Sequence, residues 1–191
     1  MVGKRYEIRL AGQGGQGLIL AGLLLAEAAA LYEGKYVVQS QSYAPYARGG
    51  ASASEVVISD EEIDYPRVVK PNLIVALSQE AYDRHFRDLQ KNGILIVDSS
   101  TVEHVDTSKA YLFETYMVPI TEIARQATGK EMTASMVALG AISGLTGLVS
   151  GESIMAAIAT RAPKGTVEIN KRAVQAGIEV GNKLREGIGR E

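Results

Sequence analysis

Apolar residues alternate with polar ones in some stretches of this 191-residue chain, run together in others and recur at helical spacing in the rest. Tyr6 to Leu10 reads as a short strand, and a glycine-dense turn, Ala11-Gly12-Gln13-Gly14-Gly15-Gln16-Gly17, leads from it into an apolar helix predicted over about 16–32. A helix apolar nearly all round must be buried against more than one neighbour. Tyr36 to Gln39 predicts a second strand and Glu55 to Ile58 a third, with the long loop from Ser40 to Gly50 between them. Ser59-Asp60-Glu61-Glu62 reads as a solvated hairpin end. Asn72 to Leu77 and Gly93 to Val97 are continuous apolar strands flanking an amphipathic helix over Gln79 to Gln90, and Ala110 to Val118 is the last strand. Helices are then predicted over Pro119 to Ala127, Thr133 to Val149 and Glu152 to Thr160. A final helix follows Pro163-Lys164-Gly165-Thr166 and keeps Ile169, Ala173, Ala176, Val180 and Leu184 on one face. Strands alternating with helices imply an α/β fold, and the length suits a single domain over 1–191.

Gly12, Gly14 and Gly17 have the G-x-G-x-x-G spacing of a Rossmann-like strand–turn–helix, so the expected sheet is mostly parallel with covering helices and a helical C-terminal part. The start of the helix leaves backbone N–H groups unpaired, which makes Gly12, Gly14, Gly15 and Gly17 a candidate phosphate site. A nicotinamide site also wants an acidic residue about twenty positions on, to hold the ribose hydroxyls. That place holds Gln39-Ser40-Gln41, so the phosphate half of the fingerprint stands without its ribose half. In the long loop, Tyr43 and Arg48 suit either an adenine face and a phosphate, or a subunit contact.

Twenty basic and 22 acidic side chains leave a net charge of −2, which offers no broad basic field to nucleic acid or an anionic membrane. With no cysteine, the chain cannot supply disulfides, Cys-ligated zinc or Cys-ligated iron–sulfur clusters, and a cytoplasmic location is expected. Leu18 to Leu31 resembles a leader segment, but the glycine turn and Glu27 interrupt the leader pattern. Gly140 and Gly144 form a G-x-x-x-G in an apolar stretch, where Ser135, Ser143 and Thr146 favour a buried helix or a subunit contact over a membrane span.

His85 and His104 read as a helix-surface and a loop histidine, and no metal site is expected. Glu80 and Asp98 read as a helix-start charge and a turn acceptor. No nucleophile elbow, Walker lysine or other catalytic set is present, so no catalytic residue is assigned.

Gly12-Gln13-Gly14-Gly15-Gln16-Gly17, Gln39-Ser40-Gln41-Ser42-Tyr43, Arg48-Gly49-Gly50-Ala51-Ser52 and Glu55-Val56-Val57-Ile58-Ser59 together resemble the gamma subunit of 2-oxoacid:ferredoxin oxidoreductases. The resemblance continues through Ile63-Asp64-Tyr65-Pro66, Ala76-Leu77-Ser78-Gln79-Glu80-Ala81-Tyr82, Met136-Val137-Ala138-Leu139-Gly140 and Pro163-Lys164-Gly165-Thr166. The Gln-Ser-Gln-Ser-Tyr and acidic-turn forms are most similar to the 2-oxoglutarate branch, beside pyruvate and 2-oxoisovalerate types. The resemblance implies a multisubunit enzyme that converts a 2-oxoacid and coenzyme A to acyl-CoA and CO2 and reduces ferredoxin. Thiamine diphosphate, magnesium and iron–sulfur clusters would lie in alpha, beta and sometimes delta partners, and the isolated chain would be inactive. It further implies coenzyme A access beside the glycine turn and Arg48, with Gln41, Tyr43, Gly49, Gly50, Gly140 and Gly144 at subunit contacts. The alternatives are a self-contained nucleotide-binding Rossmann-type protein and a purely structural subunit.

Overall fold

The computed structural model describes residues 5–43, 51–106, 108 and 112–188. Six strands form one sheet: β1 (Arg5–Gln13), β2 (Tyr36–Tyr43), β3 (Ala51–Ser59), β4 (Leu73–Ala76), β5 (Gly93–Asp98) and β6 (Phe113–Val118), in the order β2-β3-β1-β4-β5-β6. β1, β4, β5 and β6 pair in parallel, whereas β3 pairs antiparallel with both β1 and β2. All strands but β3 therefore run the same way, and the expected mostly parallel sheet carries one reversed strand. That strand separates β1 from β2.

Alternation along β1 explains how the sheet is sandwiched. Ile8 and Leu10 join one core with Val56 and Ile58 of β3 and Val75 and Leu77 at β4, beneath α1 (Leu18–Glu27) and the C-terminal helices. Ile74, Ala76, Leu95 and Val97 face the other way, onto Tyr82 and Phe86. Those two rings belong to α2 (Gln79–His85) and the 3-10 turn Phe86–Asp88 that continues it, and they stack at 4.7 Å. The first helix is shorter than predicted and passes into a π-helical segment, Ala28–Tyr32, which leaves Leu31 and Tyr32 exposed. Gly22 brings α1 against β3, because a Cβ there would stand 2.0 Å from Ser54 Oγ.

The acidic turn after β3 is solvated as expected, but it does not close a hairpin. Residues 60–72 carry the chain past the start of β1 to β4. Glu7 holds this connection: its carboxylate accepts from the Val69 and Lys70 N–H groups at 2.7 and 3.0 Å, and its own N–H donates to Asn72 Oδ1 at 2.7 Å.

The C-terminal part is helical, with α3 (Ile120–Thr128), α4 (Ala134–Thr146), α5 (Gly151–Arg161) and α6 (Val167–Ile188). Asp98 ties α3 to the end of β5. Fully buried, it accepts from the Thr121 N–H at 3.2 Å and the Thr121 hydroxyl at 2.5 Å. Gly140 and Gly144 are packed against α6 of the same chain. A Cβ on Gly140 would stand 2.1 Å from the Val174 carbonyl, and one on Gly144 2.4 Å from that of Ile178. Reciprocally, Gly177 and Gly181 would strike the Val137 and Ala141 carbonyls at 2.0 and 2.5 Å. The two backbones thus meet at four glycines. Among the described residues, no helix is long and apolar enough to cross a membrane.

Since the obstacle is backbone, Gly140→Val is expected to destabilise by about 3 kcal/mol, a fall in Tm of roughly 6–12 °C. Gly187→Ala, where a Cβ meets nothing within 4 Å, is expected to leave the Tm unchanged or slightly raised. Thermal unfolding followed by circular dichroism compares the two.

Candidate functional site

The predicted phosphate turn lies at the carboxyl edge of the parallel strands, where open α/β sheets gather their ligands. β1 runs further than predicted, so Gly12 is a strand residue paired with Ser52 and only Gly14, Gly15 and Gly17 belong to the turn. Gly15 and Gly17 have φ of +91° and +76°, a region closed to most side chains. Gly14 and Gly15 are exposed, and a Cβ on either would meet nothing within 4 Å. Gly17 is the N-cap residue of α1, and among the described residues no side chain caps that helix start. Its first N–H groups are therefore presented beside open space, as an anion requires.

Gln16 shapes the inner wall of the turn. Its Oε1 accepts from the Gln13 N–H at 2.8 Å, and its Nε2 donates to the Leu77 carbonyl at 3.2 Å. Thr101, just past β5, donates its hydroxyl to the same carbonyl at 3.2 Å, so the carboxyl ends of β1, β4 and β5 are tied at one atom. Gly12 is needed beneath this arrangement, since a Cβ there would lie 2.2 Å from Gln16 Oε1. Sequence reasoning passed over Gln16, although a glutamine inside a glycine turn is the signal that could have found it.

A second neighbour was also missed as part of the site. Ser135, in the first turn of α4, is 1% exposed, and its Oγ has no hydrogen-bond partner. That oxygen faces Gly17, where a Cβ would come within 2.9 Å of it. The exposed Met132 stands at the same lip, its carbonyl 3.9 Å from the same position.

Of the other predicted residues, Gln41 and Tyr43 lie in β2 opposite Ser54 and Ser52 of β3. Gly12 also pairs with Ser52, so Tyr43 and the turn share one sheet edge with β3 between them. Arg48, Gly49 and Gly50 lie outside the described residues. The intervening β3 bears on the dinucleotide alternative. It displaces the tip of β2 by one further strand spacing, about 4.8 Å, from the place where a ribose-binding residue would serve a ligand at β1. Gln39, at the predicted ribose position, is engaged with Ser54 Oγ at 2.9 Å.

A cavity of about 360 Å³, lined by Arg5, Glu7, Glu61, Glu62 and Tyr65 among others, opens at the opposite end of β1. Glu7 is committed there to the backbone of 69–70, so this cavity belongs to the β3–β4 connection and not to the glycine turn. His104 stands in a loop as expected, its N–H donating to Gln79 Oε1 at 3.0 Å. His85 is not the surface histidine that was expected: its side chain is 12% exposed. It packs on Arg9, a strand residue 8% exposed that also pairs with Glu55 at 2.7 Å and Asp88 at 2.5 Å. Burial, then the Arg9 charge, push the His85 pKa below its ordinary value, against the opposing pull of Asp88.

A lowered folded-state pKa means that the unfolded chain binds the proton more readily. Stability is therefore full above the ordinary histidine value of 6.5 and falls as pH drops below it. His85→Gln is expected to flatten that fall, measured by urea unfolding at intervals between pH 7 and 5.

A family profile described as pyruvate ferredoxin/flavodoxin oxidoreductase matches residues 7–180. The chain is 49% identical over 180 residues to the 2-oxoglutarate synthase subunit KorC of Methanocaldococcus jannaschii, covering 94% of this chain and 96% of that one. The gamma subunit of a keto/oxoacid ferredoxin oxidoreductase from Geobacter sulfurreducens has a similar structure, with a TM-score of 0.83, 46% identity and coverage of 94% and 97%. A 2-oxoglutarate:ferredoxin oxidoreductase from Magnetococcus marinus, solved with 2-oxoglutarate, coenzyme A and succinyl-CoA bound, shares the fold at a TM-score of 0.83 and 22% identity. This chain is 95% covered in that match and spans 32% of the longer one.

Proposed function

The chain belongs to the pyruvate ferredoxin/flavodoxin oxidoreductase family as a gamma-type subunit, and from that membership we propose that it completes the active-site assembly of a cytoplasmic 2-oxoglutarate-type enzyme and helps to admit coenzyme A. The reaction joins the acyl group of the 2-oxoacid to coenzyme A, releases CO2 and passes the electrons to ferredoxin. The whole chain, 1–191, acts as one unit beside alpha and beta partners and, in some assemblies, a delta partner. Thiamine diphosphate, magnesium and the iron–sulfur clusters sit in those partners. The residues here fit neither a cluster nor a metal of that kind: there is no cysteine for a cluster, and among the described residues no three His, Asp or Glu side chains converge on a metal position.

The observation that carries this reading is the uncapped start of α1 behind two exposed glycines, beside the sheet edge where β2 ends at Tyr43. It has the chemistry to hold a phosphate of coenzyme A but no group that could act on a 2-oxoacid. Arg48 would add a forked, permanently charged donor. Gln41, Tyr43, Gly49 and Gly50 would face the partner subunits around it.

Gly14→Val tests the ligand more than the fold, because its new side chain enters open space. In the assembled enzyme, Gly14→Val and Arg48→Ala are each expected to raise the apparent KM for coenzyme A about tenfold, a loss of about 1.4 kcal/mol, with the 2-oxoacid KM little changed. Unchanged kinetics in both variants would leave a purely structural subunit. Micromolar binding of NAD by the full chain would favour the self-contained nucleotide-binding reading instead.

A further inference from the structure

We propose that Ser135 is a binding residue of this site, its Oγ–H serving as a donor to an oxygen of the phosphate-bearing group held at the start of α1. This rests on the reading of the glycine turn as a coenzyme A phosphate site and adds a residue that neither the motif nor the loop contains.

Ser135 behaves unlike the other helical hydroxyls described. Thr128 and Thr146 donate to the carbonyls four residues back, Ala124 and Ile142, at 2.7 Å each, and Thr160 donates to Ala157 at 3.1 Å. Ser143, also in α4, donates to the Val149 carbonyl at 2.7 Å. Such closure is the usual resting state of a buried helical hydroxyl, because an unpaired polar atom away from water costs folding stability. Ser135 Oγ is the described buried side-chain atom that forgoes it. A serine retained only to fill space would be better replaced by alanine at this position.

Its placement supplies the reason. α4 is pinned by the glycine contact with α6, so Ser135 is set on a rigid element instead of on a loop. The unpartnered oxygen is directed at Gly17, the N-cap of α1, and among the described residues no side chain caps that helix start. Gly17 covers the hydroxyl with backbone alone. A staggered change of χ1, with a small shift of a turn rich in glycine, brings Oγ–H to the anion that the α1 N–H groups hold. Donor and helix start would then converge on one oxygen cluster from two helices.

The two roles of the hydroxyl have opposite signatures. Ser135→Ala, made in the assembled enzyme, is expected to raise the apparent KM for coenzyme A about ten- to a hundredfold, as loss of a hydrogen bond to a charged group does, with the 2-oxoacid KM unchanged. The same variant, unliganded, is expected to keep or raise its Tm, because it deletes a buried unsatisfied oxygen. If Ser135→Ala leaves the coenzyme A KM unchanged while Gly14→Val raises it, Ser135 is not a donor, although the phosphate reading survives. If neither variant moves it, the phosphate reading fails and the proposal fails with it. A raised KM accompanied by a lowered Tm and a shifted 2-oxoacid KM identifies Ser135 as a packing residue and overturns the proposal.

Discussion

The backbone contact between α4 and α6 is the constraint on which the functional end of the molecule depends. At Gly140, Gly144, Gly177 and Gly181, an added Cβ would lie 2.0–2.5 Å from a carbonyl oxygen of the facing helix. Glycine is a poor helix former, so four of them in two long helices carry an entropic cost. Close approach of the two backbones offsets that cost through dense dispersion contact and sets how deep α4 lies. α4 sinks far enough for every residue from Ala134 to Leu145 to be buried, and its first turn reaches beneath Gly17. The glycine turn therefore has a floor supplied by a helix more than a hundred residues away in sequence.

The reversed strand β3 is the second decision of consequence. It keeps the phosphate-binding half of the Rossmann-like arrangement at β1 while moving the tip of β2 away from it. A dinucleotide needs both halves side by side, whereas one phosphate-bearing group entering between subunits needs only the first. On the other face of the sheet, Arg9 with Glu55, Asp88 and His85 holds β1 and β3 to the end of α2, with Arg9 buried and Asp88 half exposed. Family membership and the separation of the two halves are both consistent with the proposed role of a subunit that works beside partner chains.

Much of this was legible in the chain, and the parts that were not share a cause. Continuous apolar runs revealed β4 and β5, helical periodicity revealed α6, and the glycine spacing placed an anion-ready turn before α1. The reversal of β3 escaped because an antiparallel and a parallel strand carry the same alternation of side chains. The packing of Gly140 and Gly144 on α6 escaped because their counterparts, Gly177 and Gly181, are equally spaced but distant in sequence. His85 was read as a surface residue because its burial comes from Arg9 on another element.

By itself, the sequence determined the elements, the presence of an anion-ready turn and the absence of any means to build a cysteine-ligated cluster. These follow from local rules: backbone hydrogen bonds close within a few residues in helices, side chains alternate in strands, and glycine alone enters certain turns freely. Tertiary structure decided the strand order, the partner of the small-residue helix and the burial of His85, and it placed an unpaired serine hydroxyl under Gly17. Each depends on which surfaces meet across long stretches of chain, a choice made by packing and desolvation over the whole core and carried by no single segment.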